Sequence, residues 1–157
     1  MSSHLRELVL ADPVHWCRVY RSWGLGVTVE PEHQRIIMEV NDFGGAVTMP
    51  DALGGKVRAL LDESGDSCPI VAHPRTGSWT ILTGTHDDSA LDMEIYAALF
   101  RVFARITPRR CVVALPSPID GDLHYREWIA EPGPDIPPMR TVVAAILAVA
   151  RAQDASQ

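Results

Sequence analysis

Apolar residues recur at helical spacing in four separate stretches of the chain. The clearest stretch begins at Asp12-Pro13, an acidic cap followed by a proline, and ends before Gly24. Another helix opens at Pro50-Asp51, although Gly54-Gly55 weakens its first half by about 1 kcal/mol per glycine relative to alanine. Asp87-Asp88-Ser89 is the predicted cap of the third helix. The predicted helices cover residues 12–23, 50–63, 90–105 and 140–152.

Shorter apolar runs between these helices have the alternation or the composition of β-strands. Two short polar links, 31–34 and 73–77, predict hairpins. Because adjacent strands outnumber β-α-β alternation, the sequence predicts an α+β fold: a single mixed or mainly antiparallel sheet of about five to seven strands with helices packed on it. The chain, 1–157, is expected to form one domain with flexible ends at 1–11 and 153–157. The predicted strands are 25–30, 35–40, 46–49, 69–72, 78–82, 111–115 and 125–130.

The charge balance argues against a general nucleic-acid coat. The chain has 14 basic and 20 acidic residues, a formal charge of −6, and every basic residue except Lys56 is an arginine. Backbone binding relies on Lys and Arg to neutralise phosphates, so an acidic chain suits a protein partner better. A local patch stays open as a nucleic-acid or anion site, and a solvated helix face is the alternative. The candidate residues are Arg75, Arg101, Arg105, Arg109 and Arg110, of which Arg101 and Arg105 are expected to share a helix face.

The three cysteines are isolated from one another along the chain. No CxxC pair is present, which argues against a zinc knuckle or a thioredoxin-like motif. Cys17, Cys68 and Cys111 are therefore expected to be buried, inert thiols in a reducing compartment. No apolar run reaches the ~20 residues of a membrane helix, and no signal peptide is visible. The expected location is the cytoplasm, without membrane contact.

Two short polar segments have the composition of metal-ligand sets. Asp120, Asp122 and His124 place two carboxylates and an imidazole within five residues, although the same Asp-Gly sequence is typical of a turn. Segment 85–88 supplies a histidine and two aspartates, which helix capping explains equally well. His73 suits an anion-binding or acid–base role, or none. No phosphate-binding loop or serine-elbow motif accompanies them, and no cofactor is expected.

A more specific pattern lies near the end of the chain. The apolar strand 111–115 runs into Pro116-Ser117, and after a loop come Tyr125-Arg126-Glu127-Trp128 and the proline-rich strap 131–138. This order resembles the end of the N-terminal domain of bifunctional DNA primase/polymerases. The front of the chain is similar as well, at 22–24, 27–29 and 81–84.

The resemblance implies a shortened domain without the family's chemistry. That family uses an Asp-x-Asp pair, a Gly-Gly-x-His element and a further acid before the Pro-Ser strand, because two metal ions must clamp the reacting oxygens. Here 79–83 lacks the acid pair, and Arg109-Arg110 stand where the further acid is required. The first hypothesis is therefore a non-catalytic domain that binds a protein or nucleic acid in DNA- or transcription-related regulation.

Two other function classes stay open at this point. One is an unrelated small α+β interaction or regulatory module that forms a homodimer through an apolar surface patch, expected on the Ala-rich last helix, 140–152. The other is an active metal-dependent nucleotidyl transferase with displaced ligands. Its candidate ligands are Asp87, Asp88, Asp120, Asp122 and His124.

Overall fold

The computed structural model describes residues 12–87, 91–123, 125–133 and 135–156, so the predicted flexible segment 1–11 lies outside the described residues. The elements confirm the α+β class. The helices are α1 (Pro13–Ser22), α2 (Asp51–Glu63), α3 (Met93–Arg101) and α4 (Met139–Ala155), and a 3-10 helix spans Pro118–Leu123. The strands are β1 (Val27–Glu30), β2 (Arg35–Glu39), β3 (Gly45–Pro50), β4 (Ile70–His73), β5 (Ser78–Thr83), β6 (Arg105–Ile106), β7 (Val112–Leu115) and β8 (Glu127–Ala130).

The larger sheet has five strands in the order β6-β3-β5-β4-β8, and every neighbouring pair is antiparallel. The predicted hairpin at 73–77 forms between β4 and β5, and β3 pairs with β5 so that Val47 lies opposite Ile81. Helices α2 and α4 pack against each other. Side chains such as Val47, Ile70 and Ile81 form one core cluster with these helices, which therefore cover one face of the sheet.

A second sheet of three antiparallel strands, β1-β2-β7, corrects the prediction of a single sheet. The predicted β1–β2 hairpin forms, with Glu30 opposite Arg35 at its turn, and β7 pairs with β2. Together with α1, this sheet forms a core cluster with Ala46, Val71 and Leu82 of the larger sheet. A five-stranded sheet that is apolar on both faces needs a layer on each, and strand patterns alone do not identify that layer.

Helix α3 is shorter than predicted at both ends. Asp92 is its cap, since its Oδ1 accepts from the Ile95 N–H (2.9 Å), so the predicted cap at 87–89 is wrong. The helix ends at Arg101, and Phe103 adopts a left-handed conformation (φ 61°) that turns the chain into β6. A positive φ is uncommon for phenylalanine, which explains why the sequence showed neither this turn nor β6.

Two further boundaries differ from the prediction near the end of the chain. Strand β8 begins at Glu127 rather than at 125. Helix α4 continues to Ala155, into the segment expected to be a flexible tail. Its buried side chains include Met139, Ile146 and Val149, and none of the helix residues after Val149 is buried, so the last turns extend beyond the part that packs against the core.

Candidate functional site

Helix α3 and the turn that follows it expose an unusual amount of apolar surface. Met93 is 88% exposed, Phe100 78% and Phe103 75%, and Tyr96 is 45% exposed. Single exposed apolar residues are ordinary, whereas a contiguous group of this size marks an interaction surface. The segment from Met93 to Phe103 is therefore the candidate site.

The exposure follows from the way α3 is anchored. Leu99 is buried, and Ile95 and Val102 pack against the same core as α2 and α4. These three residues share one helix face because they recur at i, i+4 and i+7. Met93, Tyr96 and Phe100 recur at i, i+3 and i+7 on another face. The helix thus has two apolar faces, and the core covers only one of them.

The exposed face of α3 borders a groove of about 790 Å³ at the edge of the larger sheet. Strand β6 and Thr107-Pro108 contribute to its lining. A smaller hollow of about 300 Å³ shares Phe100, Ala104 and Arg105 with it and extends to the β4–β5 turn. We call the two hollows together the α3–β6 groove. Arg105 is the only charged residue that lines either hollow in the described part of the chain.

The two arginines nearest the groove do not share a helix face, contrary to the prediction. Arg101 is the last residue of α3, whereas Arg105 lies in β6 beyond the turn at Phe103. Both side chains are exposed. The structure therefore places one arginine at the end of the helix and the other in the groove wall.

The remaining predicted arginines do not line the groove. Arg109 pairs with Asp42, and its Nη2 donates to the His86 carbonyl oxygen (2.7 Å). Arg110 follows in a left-handed conformation (φ 72°). The Arg75 guanidinium lies 4.2 Å from the centroid of the Tyr125 ring. These residues do not line the groove, so the predicted cluster is divided among separate contacts.

Asp120, the first residue of the predicted metal-ligand segment, forms hydrogen bonds within and beside its own loop. It is 4% exposed, its Oδ2 accepts from the Ser117 N–H (2.9 Å), and its Oδ1 accepts from Arg126 Nη1 (2.8 Å). Both carboxylate oxygens therefore stabilise the turn at the 3-10 helix. The other two predicted ligands, the side chain of Asp122 and His124, lie outside the described residues.

The Pro-Ser pair that carries the family resemblance also has a structural role. The Ser117 Oγ accepts from the Ile36 N–H (2.9 Å) and donates to the Leu115 carbonyl oxygen (2.8 Å). The Tyr20 hydroxyl donates to the Pro116 carbonyl oxygen (2.6 Å). These bonds hold the end of β7 against β2 and α1.

Segment 85–88 is partly interior. His86 is buried, and its backbone N–H donates to the Asp42 carbonyl oxygen (3.1 Å). The bond from Arg109 to the His86 carbonyl completes this link between the β2–β3 turn and the segment before β7. Asp87 follows His86 in the chain, and Asp88, the second aspartate of the predicted set, lies outside the described residues.

A group of possible metal ligands at the β1–β2 turn was not predicted. Glu30, Glu32 and His33 are the only set of three possible metal ligands within 4.8 Å of one another among the described residues. The Glu-x-Glu-His spacing was the available signal. Desolvation favours a higher pKa for Glu30, but hydrogen bonds and charges from His33 and Arg35 lower the pKa of Glu30 below its usual value. Because Arg35 Nε lies 3.2 Å from Glu30 Oε2, its charge opposes a cation there.

His73 belongs to a row of polar side chains across the larger sheet rather than to an exposed turn. Its Nε2 lies 2.8 Å from Thr80 Oγ1, which lies 2.8 Å from Thr48 Oγ1. Burial, and next the charge of Arg126, lower the pKa of His73, while Asp120 acts in the opposite direction. The neutral imidazole is thus favoured, as a hydrogen-bonding group within the sheet.

The predicted burial is confirmed for two of the three cysteines. Cys17 and Cys68 are buried, but Cys111 is exposed. Burial, reinforced by Asp66 and Asp62, raises the pKa of the Cys68 thiol to about 12, so this thiol stays protonated. Cys111 precedes β7, which is an edge strand of the smaller sheet, and its apolar sequence neighbours did not reveal that position.

The fold and the groove define an α+β domain whose main exposed feature is an apolar surface at one sheet edge. Comparison of the chain with family models, curated proteins and solved structures finds no match. The resemblance to primase/polymerase domains therefore stays a prediction. Within the described ranges, no helix combines the length and apolar content needed to cross a bilayer.

Proposed function

We propose that the chain is a non-catalytic binding domain whose α3–β6 groove receives a segment of a partner protein. The observation that carries the proposal is the exposure of Phe100 and Phe103 beside an apolar groove. Full burial of a large apolar side chain contributes about 1.5–3 kcal/mol relative to its exposure. A partner segment that covers these side chains gains this free energy for each of them.

The charge around the groove favours a protein partner over nucleic acid. Arg105 is its only charged lining residue in the described chain, whereas binding to a nucleic-acid backbone draws on several Lys and Arg side chains. The formal charge of −6 opposes a polyanion further. A single arginine in an apolar groove fits one acidic residue on an otherwise apolar segment.

The shape of the groove favours an inserted segment over a second copy of the chain. Two copies related by a two-fold axis present the same surface to each other. Where the two-fold axis passes through the groove, two concave surfaces face each other and leave a void, and voids forfeit packing energy. The homodimer expected from the alternative hypothesis is therefore an outcome of the test rather than part of the proposal.

The proposal is compatible with the sequence resemblance and with a cytosolic location. A primase/polymerase-type domain that lacks its metal-binding acids keeps only its surfaces for binding, and a DNA- or transcription-related role stays a prediction on that basis. The three free thiols suit a reducing compartment.

The test is a selection of linear peptides from a displayed random library on the full chain. Tight binders are resynthesised, and their affinity is measured by fluorescence anisotropy for the unaltered chain and for Phe100→Ser. Phe43→Ser is the matched control, because Phe43 is 88% exposed but does not line the groove. We expect about tenfold or greater loss for Phe100→Ser, as for a central anchor residue, and no loss for Phe43→Ser.

Two parallel measurements identify the competing occupants. Salt-sensitive binding of an oligothymidylate that is lost in Arg101→Gln and Arg105→Gln would replace the protein partner with nucleic acid. Concentration-dependent dimerisation in sedimentation that Phe100→Ser abolishes would make the groove a homodimer interface. Peptides whose affinity is the same for Phe100→Ser and the unaltered chain would overturn the groove as the binding site.

A further inference from the structure

We infer that the partner segment binds in extended form, as a strand added to the outer edge of β6, an inference that rests on the proposed function of the α3–β6 groove. Strand β6 ends the order of the larger sheet, and none of the described strands pairs with its outer side. Extended peptides bind such edges through main-chain hydrogen bonds, while pockets for alternate side chains give specificity. Here the edge and the apolar groove lie side by side.

The register of β6 shows which of its backbone groups face outward. The Thr107 N–H donates to the Ala46 carbonyl oxygen (2.9 Å), and the neighbouring residue Ile106 lies opposite Val47. In an antiparallel pair, residues that exchange hydrogen bonds with the partner strand alternate with residues whose backbone N–H and C=O both point away from it. The N–H and C=O of Ile106 therefore face the outer edge, where the backbone of an added strand can pair with both.

The edge is short, which makes the groove a necessary part of the binding site. Phe103 turns the chain before β6, and Pro108 has no N–H to offer after it. By the same alternation, the C=O of Ala104 also faces the outer edge, in addition to the N–H and C=O of Ile106. So few backbone bonds contribute little net affinity, and apolar side chains in the groove must supply the rest.

The two faces of β6 predict the side-chain pattern of the added strand. Ile106 packs with the core cluster that contains Leu99 of α3. Arg105 lies opposite Thr48, whose hydroxyl bonds to Thr80 on the other face. Successive side chains of a strand point to opposite faces. The bound segment is therefore expected to place apolar side chains toward α3 and an acidic side chain beside Arg105.

The test follows single amides of the full chain by NMR hydrogen exchange, with the groove-dependent peptides from the displayed library as probes. A saturating peptide should slow exchange at the Ile106 amide by about tenfold or more, because it becomes hydrogen-bonded. The Thr107 amide, already bonded to Ala46, is the internal reference and should change less.

Two changes to the backbone test the same bonds by affinity. Ile106→Pro removes the outward N–H without removing a ladder bond to β3, as proline permits at a sheet edge. It should weaken binding by about threefold to tenfold, which is the usual contribution of one hydrogen bond. On the unaltered chain, peptides with single amides replaced by esters should lose affinity at the position that donates to the Ile106 carbonyl. The ester series keeps the test valid if Ile106→Pro fails to fold.

The outcomes separate this inference from the proposed function. Selected peptides with apolar residues at helical spacing, an unchanged Ile106 amide and no sensitivity to esters would overturn strand addition while the groove remained the docking site. Equal peptide affinity for Phe100→Ser and the unaltered chain would overturn the groove itself. Alternating apolar and acidic peptides that protect the Ile106 amide would support both.

Discussion

Among single residues, His73 shows how a side chain with catalytic chemistry is used to hold the sheet together. It ends β4 and forms a hydrogen-bonded row with Thr80 and Thr48 of the neighbouring strands. Partial burial and the nearby Arg126 charge lower the pKa of this histidine. A proton on the imidazole is therefore less favourable in the folded state than in the unfolded chain.

This difference makes part of the stability depend on pH. In the unfolded chain the histidine binds a proton near pH 6.5, whereas in the folded chain it does so only at lower pH. The unfolded state thus binds more protons in that interval, and stability is lost as the pH falls from about 6.5 through the folded pKa. We expect His73→Gln to flatten the decline of the unfolding free energy between pH 7 and pH 5, measured by urea denaturation.

The size of the effect is bounded, and the comparison has an internal control. One proton contributes at most about 1.4 kcal/mol per pH unit, and the partial exposure of His73 keeps the difference below that limit. The chain has six histidines, and those not substituted are present in both proteins, so their contributions cancel. Parallel pH profiles for the two proteins would contradict the prediction.

Residue types in the sequence did not indicate which residue each charged side chain contacts in the fold. Arg109 and Arg110 were predicted to belong to one arginine cluster, but Arg109 pairs with Asp42 in the β2–β3 turn. In the same way, Asp120, a predicted metal ligand, pairs with Arg126, which belongs to the motif that resembles primase/polymerase domains. Such pairings depend on tertiary contacts that one sequence does not contain.

Among the elements, helix α2 contains two adjacent glycines. Both were predicted to weaken the helix equally, but their surroundings in the structure differ. A Cβ on Gly54 would lie 2.7 Å from Cε3 of the Trp79 ring, closer than real Cβ atoms come. A Cβ on Gly55 would meet nothing within 4 Å. Gly54 therefore allows the helix to approach β5, while Gly55 only weakens the helix.

The two alanine substitutions should have opposite effects on stability. Gly55→Ala should raise the unfolding free energy by about 0.5–1 kcal/mol, because alanine restricts the unfolded chain and is the better helix former. Gly54→Ala should lower it by about 1–3 kcal/mol, since the indole ring must move to relieve the contact. Urea denaturation of both variants provides the measurement, and each is the matched control of the other. Equal stabilisation by both would show that Trp79 moves at little cost.

The predictability of each element depended on whether a local signal marked its ends. Helix α1 begins after the Asp12 cap and ends before Gly24, as those residues predicted. Helix α3 lacks such a signal at its end, because the left-handed residue is Phe103 rather than a glycine. The predicted helix ran to residue 105 and so overlapped β6. Neither β6 nor the groove beside it was therefore predicted.

At the scale of the whole molecule, an aromatic cluster joins the smaller sheet, α1 and the larger sheet. Tyr20 on α1 is buried, and its ring lies 5.5 Å from that of Trp128 on β8, edge to face. Its hydroxyl accepts from Trp128 Nε1 (3.0 Å) and donates to the carbonyl oxygen of Pro116, which follows β7. One side chain thus links β8 of the larger sheet to the residue that follows β7 of the smaller sheet.

The two-sheet arrangement was the largest feature that the sequence did not predict. The sequence pattern predicted β1 and β2 as an antiparallel hairpin, from the alternation in 25–30 and the short link 31–34, and it predicted β7 as a buried strand. It did not show that β7, far from β2 in the chain, pairs with β2 instead of joining the larger sheet. That choice rests on long-range contacts such as those of Tyr20.

Tyr20→Phe isolates the hydrogen bonds of this junction, because it keeps the ring and removes only the hydroxyl. The indole N–H of the partly buried Trp128 then loses its acceptor, and the buried Pro116 carbonyl loses its donor. We expect the unfolding free energy in urea to fall by about 1–3 kcal/mol. Tyr96→Phe, at an exposed tyrosine on α3, should change it by less than about 0.5 kcal/mol. If the two variants were equally stable, the hydroxyl would contribute nothing measurable, and apolar packing would account for the junction of the two sheets.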